Sequence, residues 1–94
     1  MTSKQRAKLR SMASTIDTIM QVGKSGVTDT LIATVGDALE ARELIKLRVL
    51  ETCDLGVRGA GEALAAATNA ELVSVIGTKC ILYRESKTKK QIEL

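Results

Sequence analysis

Four residues, Gly23-Lys24-Ser25-Gly26, have the types and spacing that can hold a phosphate. A glycine at each end lets the backbone approach another backbone closely and take unusual dihedrals. Thr28 follows as a helix N-cap, and Asp29 complements the positive end of the helix that starts there. Free N–H groups at a helix start, with one lysine beside them, make a corner suited to anionic oxygens. The same quartet also makes an ordinary tight turn between a strand and a helix, so its surroundings decide what it does.

Two phosphate chemistries can be compared. A Walker A loop needs a glycine five positions before Gly23, where Thr18 stands, and no acidic residue closes a later apolar strand as a Walker B partner would. A GxxG loop, in contrast, is what KH domains use to clamp a nucleic-acid backbone. Gly56, Gly59 and Gly61 run as GxxGxG, the wrong order for a dinucleotide loop, and mark a loosened helix start instead.

Composition narrows the choice. The chain has no Phe, no Trp and a single tyrosine, Tyr83, so it cannot build the aromatic platform on which many RNA-binding sheets stack bases. RNA would have to be held by its phosphates, sugars and shape. There is no histidine, which excludes imidazole acid–base catalysis and imidazole metal ligation. Cys53 and Cys80 each lack a nearby second cysteine, so they match no zinc or redox motif and read as small buried or half-buried residues. No catalytic constellation, cofactor site or small-molecule substrate is expected. Reduced thiols, a polar start and the lack of a long apolar run lead us to expect a cytoplasmic protein with no membrane segment.

The 14 basic residues outnumber 11 acidic ones only mildly, but they are unevenly placed. Lys4, Arg6, Lys8 and Arg10 crowd the start; Lys79, Arg84, Lys87, Lys89 and Lys90 crowd the end; acids gather from Asp29 to Asp54. Two basic ends around an acidic centre fit an electrostatic footprint for nucleic acid. They also fit a solvated surface that keeps a small protein in solution.

The elements that must position these residues follow from periodicity. Ser3 can cap a first helix reaching about Ser14, with Leu9, Met12, Ala13 and Ile16 on one stripe, Arg6 and Arg10 on one flank and Lys4 and Lys8 on the other. Ile19 to Val22 reads as a strand leading into the GKSG loop. A second helix spans Asp29 to about Arg42, with Gly36 in its middle at a cost of about 1 kcal/mol relative to alanine, for which close packing would be a reason. Glu43 to Leu50 alternates as a strand, Ile45, Leu47 and Val49 facing one way and Lys46 and Arg48 the other. A third helix runs from about Val57 to Thr68, ended by Asn69 in a left-handed conformation. Leu72 to Ile76 and Cys80 to Tyr83 form a hairpin about Gly77-Thr78-Lys79. From Glu85 onward the chain is charged and expected to be mobile, with Ile92 and Leu94 able to dock.

The expected fold is therefore α/β: one domain over residues 1–94, ordered α-β-α-β-α-β-β. Its two layers are a four-stranded mixed sheet and helices mainly on one face, with the final hairpin adding an antiparallel edge. The other face is left open, carrying Lys46 and Arg48.

Thr2–Ala13, Ile19–Ile32, Ala38–Leu50 and Glu71–Arg84, taken together and in order, resemble the CRM domain (chloroplast RNA splicing and ribosome maturation) and its stand-alone bacterial YhbY-type members. Thr18 stands where that family often has proline, and Asn69 where glycine is common; Gly56, Gly59 and Gly61 replace charged residues. The resemblance implies a fold similar to the C-terminal domain of translation initiation factor three. It also implies RNA binding through the GxxG loop and association with ribosomal RNA in precursors of the large subunit. Residue by residue, Gly23 and Gly26 take the places of the family glycines, and Lys24 and Ser25 those of the variable pair. Thr28 and the helix start would add to the clamp, and Arg6, Arg10, Lys46 and Arg48 would widen it. A basic module that docks an acidic protein partner is the competing expectation, and ribosomal RNA as competitor separates the two.

Overall fold

The computed structural model describes every residue from Met1 to Leu94. Three helices, α1 (Ser3–Ala13), α2 (Asp29–Arg42) and α3 (Gly56–Thr68), alternate with four strands, β1 (Thr18–Val22), β2 (Leu44–Val49), β3 (Glu71–Ile76) and β4 (Lys79–Tyr83). The strands form one sheet in the order β1-β2-β4-β3, with β1 parallel to β2 and the other two pairings antiparallel. The order of elements and the mixed sheet match expectation.

The hairpin supplies an antiparallel edge as expected, and of its two strands the returning one lies inside. β4 lies between β2 and β3, and its residues Cys80, Ile81, Leu82 and Tyr83 are all buried, covered on both faces. β3, whose end residues Glu71 and Ile76 are exposed, takes the edge instead.

The helices also divide between the faces. α2 and α3 cover one, where Val35, Leu39, Ala60 and Leu64 meet Ile45, Leu47, Val49, Cys80 and Leu82. Across the sheet, α1 brings Leu9 and Ala13 onto Leu44, Val73, Ile81 and Tyr83. The two-layer expectation is thus incomplete: α1 covers half of the second face. Both cysteines are buried, and burial pushes the Cys80 thiol up to about 11.

Local signals explain most element ends. α1 is capped one residue earlier than expected, by Thr2: its hydroxyl accepts from the Gln5 amide at 3.1 Å, and the Gln5 side chain accepts from the Thr2 amide at 3.0 Å. The box needs a glutamine or glutamate at the third helical position, and Gln5 supplies it only when the count starts at Thr2. Asn69 ends α3 in the left-handed region, at φ 58°. Glu43 does not begin β2. It closes α2 at φ 66°, fully buried, and turns its carboxylate toward the C-terminal segment.

That carboxylate is hydrogen-bonded to residues 85–94, the segment expected to be mobile. Glu43 accepts from the amides of Ser86, Gln91 and Ile92, each at 2.7 Å. Glu40 accepts from the hydroxyls of Ser86 and Thr88, each at 2.8 Å, and from the amides of Lys87 and Thr88. Ile92 is buried against the α1 face while Leu94 stays exposed. The segment has no regular secondary structure, yet two carboxylates and one apolar anchor hold it in place.

Candidate nucleic-acid interface

The Gly23–Gly26 loop leaves the C-terminal end of β1 as a turn closed by the Gly26 amide donating to the Gly23 carbonyl at 3.0 Å. Gly26 sits at φ +68°, where a side chain is strained although the space around it is empty. Gly23 has no such need. A methyl group there would meet Leu50 Cδ1 at 3.6 Å and Thr52 Oγ1 at 3.9 Å, which is ordinary contact. Of the two glycines, then, only Gly26 is required by the backbone.

Thr28 caps α2, accepting from the Leu31 amide on its hydroxyl at 3.1 Å and from the Ile32 amide on its carbonyl at 2.9 Å. The amides of Lys24, Ser25, Asp29 and Thr30 have no acceptor within the protein. Two lie at the loop tip and two in the first turn of α2, so they are free for an outside anion. Lys24 and Ser25 are exposed. The adjoining loop after β2 is tied to β1 by the Leu50 amide donating to the Val22 carbonyl at 2.8 Å, and it carries exposed Glu51 and Asp54.

The second face of the sheet is covered by α1 only toward Leu44 and Tyr83. At the other end, nearest the GKSG loop, β2 presents Lys46 and Arg48 as its alternation requires. Register adds two neighbours that sequence reasoning had not placed there: Gln21 of β1 and Lys79 of β4, which pair with Arg48 from either side. Gln21, Arg48 and Lys79 are exposed and Lys46 is half-buried. Lys79 was visible as one cation of a basic end, but only knowledge that β4 lies against β2 puts it beside Arg48. Ion pairs in this protein involve Arg58, Arg84 and Lys90 alone, so Lys24, Lys46, Arg48 and Lys79 have no carboxylate partner.

The α1 arginines separate. Arg6 is half-buried and donates from one guanidinium nitrogen to the carbonyls of Leu72 and Val73, at 2.7 and 2.8 Å. It joins α1 to the β3 edge, far from β1 and its loop, so its main work is structural. Arg10 is exposed and unpaired. On the opposite flank, Lys8 donates to the Glu93 carbonyl. The tail therefore lies along the Lys4–Lys8 flank, and Arg10 stands on the other flank of the helix.

The carboxyls with lowered pKa values, Glu40 and Glu43, belong to the tail anchor and not to the loop. The surface concavities also lie elsewhere, around α1, the tail and the α2 end; residues 23–28, Lys46, Arg48 and Lys79 line none of them. The loop end is an open, cation-bearing surface, which suits an extended polyanion. No helix is long and apolar enough to cross a membrane.

Comparison with known proteins agrees with this fold. The CRS1 / YhbY (CRM) domain model matches residues 1–84, and the chain belongs to that family. It is 48% identical over its whole length to the Bacillus subtilis protein named "Probable RNA-binding protein YqeI", covering 98% of it. A Haemophilus influenzae protein named "RNA-binding protein" is 31% identical over 96% of this chain and 91% of its own length. The solution structure of a Staphylococcus aureus protein, 47% identical, superposes on the entire chain with a TM-score of 0.83.

Proposed function

We propose that this chain is an RNA-binding protein that clamps RNA backbone between the GKSG loop and the start of α2. The observation that carries the proposal is the run of unengaged amides, those of Lys24, Ser25, Asp29 and Thr30 among them, beside cations that form no ion pair within the protein. Phosphate oxygens accept from the amides, Lys24 supplies charge at the tip, and Lys46, Arg48 and Arg10 extend the attraction over the neighbouring sheet face. Family membership and the names of the relatives support RNA as the polyanion. The role that goes with the family is assembly of the large ribosomal subunit, with precursor ribosomal RNA as ligand and the cytoplasm as the place of action. No turnover is involved: the protein binds, and binding holds an RNA conformation.

Affinity for ribosomal RNA, measured by filter binding from low to physiological salt, tests this. A log–log slope on the order of −0.7 to −0.9 per neutralised phosphate is expected, and Lys24→Gln should make it shallower by about one such step. Affinity that is flat with salt would contradict the clamp. An acidic protein partner that ribosomal RNA cannot displace would favour a protein-docking role instead.

A further inference from the structure

We infer that the open half of the sheet takes base-paired RNA, through Arg48 and Lys79 for phosphates and Gln21 for ribose. The inference rests on the RNA-binding function proposed above and adds the class of RNA.

Arg48 and Lys79 are direct cross-strand partners in the antiparallel β2–β4 pair, and like charges so placed destabilise a sheet. No carboxylate neutralises either. A ligand with closely spaced negative charges resolves the repulsion, and a phosphate backbone has them.

Paired RNA fits better than single-stranded RNA for two reasons. Sequence-tolerant binding of single strands uses aromatic side chains to stack bases, and the one aromatic here, Tyr83, is buried under α1. The cations also stand on hydrogen-bonded strands, about 5 Å apart between strands and about 7 Å apart along one. Such a fixed array matches a backbone that is already ordered, whereas a flexible strand loses conformational freedom to fit it. Gln21, next to Arg48 by register, carries both a donor and an acceptor for the 2′-hydroxyl, which the wide minor groove of an RNA helix displays.

Fluorescence anisotropy with three labelled probes tests the inference: an RNA hairpin, an unstructured RNA strand of equal nucleotide count, and a DNA hairpin of matching sequence. The RNA hairpin should bind about tenfold or more tighter than the single strand, a difference of about 1.4 kcal/mol. Lys79→Gln should weaken hairpin binding several-fold and reduce its salt slope by about 0.7 to 0.9, with a melting temperature equal to or above that of the parent. Gln21→Ala should narrow the preference for RNA over DNA hairpin. Equal or tighter binding of the single strand overturns the inference while leaving RNA binding intact. Hairpin affinity indifferent to Lys79→Gln, or a DNA hairpin bound as well as RNA, overturns the assigned contacts. Binding to none of the probes overturns the RNA-binding function itself, and the inference with it.

Discussion

Arg48 and Lys79 face each other across the β2–β4 pair with no acid to separate them, at the end of the sheet where the GKSG loop emerges. A fold selected for stability alone would place an opposite charge or a neutral side chain at one of the two positions. Replacing Lys79 with glutamine removes the repulsion and keeps an extended, polar side chain on the strand. The folded state should gain roughly 0.2–1 kcal/mol. For a domain of this size, thermal melting should rise by up to a few degrees. A clear loss of stability would mean that Lys79 supports the fold.

The glycines of α2 and α3 should respond oppositely to alanine. At Gly61 a methyl group would meet Leu72 Cδ1 at 3.0 Å and the Cys80 Cβ at 3.3 Å, so Gly61→Ala overpacks the α3–sheet contact and should destabilise by about 1–3 kcal/mol. At Gly36 nothing lies within 4 Å of the added methyl group, which removes close packing as the reason for glycine there. Gly36→Ala should stabilise by about 0.4–1 kcal/mol, and its carbonyl can still accept from Arg84. Denaturant unfolding of both variants checks the pair of signs.

Acid should release the C-terminal segment. Hydrogen bonds from the Ser86 and Thr88 hydroxyls, joined by backbone amides, hold the Glu40 carboxyl at about 2, against an ordinary 4.5. Burial pushes Glu43 upward, but the amides of Ser86, Gln91 and Ile92 outweigh it and leave its pKa lowered. Groups with depressed folded-state pKa values stabilise fully above the unfolded value, and that contribution is lost as pH falls through the folded one. Melting temperature should therefore hold steady down to about pH 5 and decline below it. Amide protection at Ser86, Gln91 and Ile92, measured relative to intrinsic exchange at each pH, should fall over the same range. Glu43→Gln should loosen the segment at neutral pH and remove roughly 1–3 kcal/mol. Amide protection at Ser86, Gln91 and Ile92 that does not change with acid would contradict this.

Much of the fold was legible because its signals are local. The alternation in β2, Thr28 as a cap, and Asn69 in the left-handed region each depend on a few neighbouring residues. What escaped depends on non-local placement. The apolar run Cys80–Tyr83 hints at two covered faces, but hairpin connectivity alone does not say which of its two strands is the edge. Glu43 looks like a strand residue until the tail returns to bond its carboxylate. The site shows the same split. The GKSG loop was readable as a contiguous motif, whereas the grouping of Gln21, Arg48 and Lys79 exists only through strand register. Arg6 and Arg10, alike on a helical wheel, part because the β3 carbonyls lie within reach of Arg6.

The central claim is that the GKSG loop receives RNA phosphate, and two substitutions at Gly26 isolate it. Asparagine and aspartate both tolerate the left-handed conformation at φ +68°, and an added Cβ meets nothing within 4 Å, so the two variants should fold alike. They differ by one negative charge at the loop. Ultraviolet crosslinking in cells, followed by sequencing of the attached RNA, should give discrete sites in large-subunit ribosomal RNA for the parent. Those sites should be retained in large part by Gly26→Asn and lost by Gly26→Asp, with melting curves of the purified variants matching. Crosslinks that persist unchanged in Gly26→Asp, or a parent protein that captures little RNA, would contradict it.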